Sequence, residues 1–153
     1  MELKLIKRGI AMDEEALHIL LLLGFHRSNR EIGRRIKREG LMPGQPKILE
    51  YLWFHDGASQ KDISRECIID KSTVTSLLKR MEKLDLIRKE TRPDDQRGIN
   101  IYLTDKGWEK AKEIRKVIYA TDDAMWQGIP EEEKQQFMRT FHKIIANQKK
   151  WGD

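Results

Sequence analysis

Ser72, Thr73, Thr75, Ser76, Lys79 and Arg80 crowd one short stretch of the sequence. They lie in a segment, Lys71 to about Leu84, whose apolar residues Val74, Leu77, Leu78, Met81 and Leu84 recur at helical spacing. On a wheel of roughly 100° per residue those five share one arc of about 120°. Ser72, Ser76, Lys79 and Lys83 fall on the opposite side, with Thr75 and Arg80 flanking them. Thr73 lies nearer the boundary, in the first turn. Ser and Thr are mediocre helix formers, so they cost helix stability unless they have another task. Short hydroxyls allow close approach of a helix backbone and exchange hydrogen bonds with phosphates or base edges. Cations one turn further along reach the phosphates at a groove rim. Such a face suits a helix lying in a DNA major groove. Taken alone, it suits a solvated surface with incidental hydroxyls equally well.

The next segment favours the first reading. Ile87 to Thr91 and Ile99 to Leu103 read as two short strands, with Ile99, Ile101 and Leu103 alternating against Asn100 and Tyr102. Between them lies the polar loop Arg92-Pro93-Asp94-Asp95-Gln96-Arg97-Gly98. A hairpin directly after a helix-turn-helix is the plan of a winged helix. Arginine suits a narrow minor groove, where the negative potential is enhanced, and Arg97 near the tip is placed for it. Asp95 would hold the loop in shape and aim Arg97. The competing reading is an ordinary charged hairpin turn.

These residues need a scaffold, and the rest of the chain supplies one. Residues 12 to 39 read as one long helix, opened by Leu17, Leu20, Leu21 and Leu23, continued by Ile32 and Ile36, and stopped by Gly40. Its last turns carry Arg27, Arg30, Arg34, Arg35, Lys37 and Arg38, cations favoured at a helix C-terminus. After a Pro/Gly loop, Leu41 to Pro46, a second helix presents Ile48, Leu49, Leu52 and Trp53 and ends at Gly57. Ser59, with Asp62 three residues on, opens a short third helix that carries Ile63 and Cys67 inward. Asp70 caps the fourth. Thr104 caps a fifth running to about Met125, and Pro130 sits at the first turn of a sixth, followed by Glu131, Glu132 and Glu133. The fifth and sixth helices carry long apolar stripes, including Trp108, Ile114, Ile118, Phe137, Phe141 and Ile145. A compact middle of this size does not cover them all, which points to a dimer.

Composition narrows the function class. The chain has 153 residues, 39% apolar and 36% charged, with a net charge of +5. That suits nucleic acid but proves nothing by itself. No apolar run approaches the roughly 18 residues of a membrane span. One cysteine, Cys67, excludes an intrachain disulfide and fits a reducing cytoplasm. Its neighbours Ile63, Ile68 and Ile69 suggest a buried thiol rather than a redox sensor. The four histidines, His18, His26, His55 and His142, show no metal-ligand spacing. There is no glycine-rich phosphate loop and no nucleophile elbow. No enzyme, no metal and no cofactor is expected.

The stretch from Gln60 to Leu103 resembles the MarR-type winged helix-turn-helix transcription regulators. "STVTSLLKRME" resembles the family's recognition helix. "RPDDQRGINIYLTDKG", with Asp95, Arg97, Leu103, Thr104 and Gly107, resembles its wing signature, and "GQPKILEYL" its second helix. Two departures stand out. Asp85 occupies the place where the family often has Gly, and residues 1 to 12 carry no family motif. The resemblance implies one mainly α regulator over residues 1–153. Its winged-helix lobe, with an α/β wing, would span about 42–104, and dimerisation helices about 12–40 and 105–150. It further implies a homodimer on a roughly palindromic operator, repression, and release of DNA by a small aromatic or phenolic ligand. Ser72, Thr73, Thr75 and Ser76 would face the major groove, Lys79 and Arg80 the phosphates, and Arg97 the minor groove with Asp95 positioning it. His26, Tyr51, Trp53 and His55 would be candidates for the ligand crevice. The alternative is a winged helix serving protein contacts without specific DNA binding; steep salt dependence would distinguish the two.

Overall fold

The computed structural model describes residues 16–92 and 95–151, with backbone alone at 92 and 95–97. The chain divides into two compact units between Val117 and Ile118. In chain order the elements are α1 (Leu17–Ile36), α2 (Gln45–Phe54), β1 (Ala58–Ser59), α3 (Gln60–Cys67), α4 (Lys71–Lys83), β2 (Ile87–Arg92), β3 (Asp95–Leu103), α5 (Asp105–Met125) and α6 (Glu131–Gln148). Single 3-10 turns follow α1 and α6. Residues 12–15 of the expected first helix lie outside the described residues.

The capping chemistry follows the sequence. Ser59 Oγ accepts the Asp62 amide at 3.1 Å and donates to Asp62 Oδ2 at 2.6 Å, a reciprocal cap at the start of α3. Asp70 accepts the Thr73 amide at 2.8 Å at the start of α4. Thr104 Oγ1 accepts the Gly107 amide at 3.0 Å. After α1, Gly40 takes a left-handed φ of 70°. Pro130 is the residue before α6 rather than within its first turn.

The core of the first unit joins α2, α3, α4, the strands and the start of α5. Ile48, Leu49, Leu52, Ile63, Val74, Leu78, Met81, Ile101 and Ile114 are buried there. Each such side chain contributes roughly 1.5–3 kcal/mol of hydrophobic stabilisation. Gln45 is the buried polar exception. Its Oε1 accepts the Met42 amide at 2.8 Å and its Nε2 points to the Leu77 carbonyl at 3.5 Å, tying α2 to α4.

The sheet is antiparallel in the order β1-β3-β2. β1 pairs Ala58 with Ile101 and Ser59 with Asn100. This two-residue strand was not expected, because it is too short to carry a periodic pattern. The hairpin is longer than the sequence suggests: β2 reaches Arg92, which pairs with Asp95. Arg97 therefore belongs to β3 by its backbone, and residues 93–94 between the two strands lie outside the described residues. Ile99 is exposed, contrary to the alternation read from the sequence. It pairs with Thr91, beyond the reach of β1, where the hairpin leaves the core. Ile68 also departs from expectation. It caps α3 with a left-handed φ of 54° and is 88% exposed, so it does not cover Cys67.

Asp85 adopts φ 57°, the conformation that Gly would take most readily. Around it, Thr104 Oγ1 donates to the Asp85 carbonyl at 2.6 Å and Lys106 Nζ to the Leu84 carbonyl at 2.7 Å. In the second unit, α6 has no buried residue among those described. Trp126 meets Phe137 edge to face at 5.6 Å, and Phe137 stacks on Phe141 at 5.5 Å.

Candidate nucleic-acid interface

Helix α4 buries one face and exposes the other. Val74, Leu77, Leu78 and Met81 are buried. Ser72, Thr73, Thr75, Ser76, Lys79 and Arg80 are all exposed. The helix thus brings together all six of its expected contact residues on one outward surface.

The hydroxyls are not equivalent. Ser72 donates to Asp70 Oδ1 at 2.6 Å, and Thr73 donates to Asp70 Oδ2. These bonds, with the Thr73 amide, hold the Asp70 carboxyl well below the usual carboxylate range. Thr75 donates to the Lys71 carbonyl at 2.8 Å and receives the side-chain amide of Gln60. Ser76, Lys79 and Arg80 have no side-chain partner among the described residues. Those three are ready for an external contact, whereas Ser72 and Thr73 first serve the helix cap. Gln60 was missed from the sequence. Only the angle between α3 and α4 brings it to Thr75, and no spacing rule encodes that.

The wing backbone stands after α4 as expected. The side chains of Asp95 and Arg97 lie outside the described residues, so the minor-groove pairing read from the sequence stays an expectation. On β2, Arg88 pairs with Glu90 and lies 4.7 Å from the Tyr102 ring centroid, and Lys89 pairs with Glu82 at 2.8 Å.

The four ligand candidates are dispersed. His26 is exposed on α1. Tyr51 and His55 touch, with ring centroids 4.6 Å apart and planes tilted by 33°. Trp53 packs edge to face on Trp108 at 5.2 Å, with the Arg115 guanidinium 4.6 Å above its ring. A separate cavity of about 620 Å³ opens between α1 and the start of α2, walled by Ile32, Ile36, Leu41, Pro46, Lys47 and Ile69. None of the four candidates lines it.

The basic end of α1 is partly self-neutralised. Arg34 and Arg35 both reach Glu31 at 2.7 Å. Their guanidinium groups hold the Glu31 carboxyl down at about 2. Cys67 is buried, and burial pushes its thiol up to about 11. Among the described residues no group of His, Cys, Asp and Glu is placed to hold a metal ion, and no helix is long and apolar enough to cross a membrane.

Comparison with known proteins agrees with this geometry. A sequence profile described as the MarR family matches residues 41–99. The HTH-type transcriptional regulator MgrA of Staphylococcus aureus is 30% identical over 140 residues, covering 87% of this chain and 92% of MgrA. The crystal structure of a MarR family transcriptional regulator from Silicibacter pomeroyi superposes with a TM-score of 0.77 at 27% identity, covering 92% of this chain and 96% of that one. The Staphylococcus aureus MepR–DNA complex shares the fold, with a TM-score of 0.77 at 23% identity over 88% of this chain and 99% of that one.

Proposed function

This chain belongs to the MarR family, whose members are transcription regulators and not enzymes, and from that premise we propose that it is a homodimeric repressor that reads a roughly palindromic operator. α4 enters the major groove and the β2–β3 wing reaches the adjacent minor groove through Arg97, positioned by Asp95. Ser76 and Thr75 face base edges, while Lys79 and Arg80 contact phosphates. The observation that carries this reading is the outward face of α4, where cations without a side-chain partner among the described residues follow a row of small hydroxyl residues.

Two finer features rest on the same premise. The exposed apolar residues of α1, α5 and α6 form the dimer interface. A small apolar effector enters the cavity beside Ile69, the residue directly before the Asp70 cap. An occupant pressing on Ile69 has a short path to the orientation of α4, and so to release of DNA. The two lobes act in the cytoplasm, where the operator is.

The test is a selection from random-sequence duplex DNA, followed by titration of the selected site at two salt concentrations. Specific binding should weaken steeply with salt, with a log–log slope of about 0.9 per phosphate neutralised. Arg97→Ala should weaken it more than about tenfold, or about 1.4 kcal/mol, with the fold intact. A winged helix that serves only protein contacts predicts no enriched site and a shallow salt response.

A further inference from the structure

The hydrogen bonds at the α3–α4 junction assign a specific part to Thr75 and a new part to Gln60. A threonine hydroxyl has one proton. In Thr75 that proton goes to the Lys71 carbonyl at 2.8 Å, one turn back along α4. The Gln60 side chain therefore meets the oxygen with its amide N–H, as the contact is arranged. Back-bonding to the i−4 carbonyl selects one χ1 rotamer of the threonine, and the Gln60 amide on the same oxygen reinforces it. Thr75 is nonetheless exposed on the outward face of α4. With its proton given to Lys71 and one lone pair taken by Gln60, the hydroxyl has no donor left to offer a base, and the methyl is the apolar group that Thr75 presents beside it.

We propose that Thr75 reads a thymine through its methyl group, by apolar contact with the C5-methyl in the major groove, and that Gln60 is the positioning residue that fixes this rotamer. Apolar contact with the thymine methyl is one of the few direct distinctions between base pairs available in that groove. The neighbouring Ser76 hydroxyl has no partner among the described residues, so the two adjacent residues read by different chemistry: one by shape and one by hydrogen bonding. This refinement rests on the DNA-reading function proposed above.

Three variants test it on the full-length protein. Each is put through the same selection from a random-sequence duplex library, with affinity for unrelated duplex as the control. Thr75→Val keeps the shape and methyls but removes the hydroxyl. A helical valine is held to one χ1 rotamer by its β-branch alone, where threonine splits between two and needs Gln60, so its base preference should stay within about threefold of the parent. Thr75→Ser keeps the hydroxyl and loses the methyl. It should lose the preference for thymine at one position of each half-site, and replacing that thymine by deoxyuridine should cost the parent severalfold but leave Thr75→Ser unaffected. Gln60→Ala should blur the same position severalfold while affinity for unrelated duplex changes less than about twofold. Loss of preference in Thr75→Val, or its survival in Thr75→Ser, overturns the methyl reading. Equal weakening on every duplex in Gln60→Ala overturns the positioning role and makes Gln60 a phosphate contact. A parent protein that enriches no site removes the DNA-reading function itself, a result distinct from both.

Discussion

Ser76 is exposed on α4, and its hydroxyl makes no bond to any described residue. The hydroxyls of Ser72 and Thr73, by contrast, are already donating to Asp70. A group that is solvated in the free protein and unpaired within it can pair with a base edge without breaking an internal bond. Ser76→Ala should therefore erode sequence preference by about 1 kcal/mol, the scale of a net hydrogen bond, while sparing fold and non-specific affinity. Competition between the selected site and unrelated duplex measures it, and parallel loss on both would remove Ser76 from base reading. Asp70 has a different task. Its carboxylate is stabilised by three bonds from the start of α4, so its proton affinity is lower in the folded chain than in the unfolded one. The unfolded state then binds the proton first as pH falls. The capping contribution is complete above the ordinary carboxylate range and is lost progressively on acidification below it. Asp70→Asn, which keeps a capping oxygen without the charge, should flatten this acid limb of a thermal-melt series; an unchanged limb would place the acid sensitivity elsewhere.

At the scale of elements, the junction at the start of α5 is the closest approach met by any described glycine. A Cβ on Gly107 would stand 1.9 Å from the Leu86 carbonyl oxygen, and that oxygen already accepts the Thr104 amide at 3.2 Å. The obstacle is backbone, so it cannot swing aside. Gly107→Ala should cost about 1–3 kcal/mol by forcing α5 away from the base of the wing. Chemical denaturation would register this as a lower midpoint, and an unchanged midpoint would mean that the first turn of α5 moves freely. The same junction explains what the sequence could and could not disclose. Gly107 is visible in the sequence as a residue of the wing signature and Asp85 as a departure from the family's glycine, but their physical reasons, a close approach and a left-handed turn, are tertiary facts. The burial of Val74, Leu77, Leu78 and Met81 was legible because a 3.6-residue period is a property of one helix. β1 was not legible, since two residues form a strand only because β3 offers them partners. The outward residues of α4 were readable as a set. The division of labour among them was not, because it depends on Asp70 and Gln60 being brought to particular hydroxyls by the fold.

At the scale of the whole molecule, apolar side chains are left uncovered in both units. Leu20 is 53% and Phe25 61% exposed on α1, and Phe137 is 52% exposed on α6. Scattered exposed apolar residues need no explanation, but Leu17, Leu20, Leu22 and Phe25 crowd one helix, and α6 buries none of its residues. A second copy of the chain is the partner that a palindromic site requires. A two-fold axis would present two α4 helices to half-sites about 34 Å apart, or a multiple of that, and neither lobe alone would bind with the affinity of the pair. Light scattering should then give twice the chain mass at micromolar concentration. Phe137→Asp should shift it toward the single chain, because a charge buried across an apolar contact lacks a partner. The lobe carrying α4 is a separate compact unit, so the variant should keep its near-native helix content while its affinity for the full palindrome falls to that for an isolated half-site. A Phe137→Asp protein that remains dimeric would exclude α6 from the interface. A parent protein that is monomeric while still preferring the full palindrome would mean that the DNA, and not the long helices, brings the two copies together.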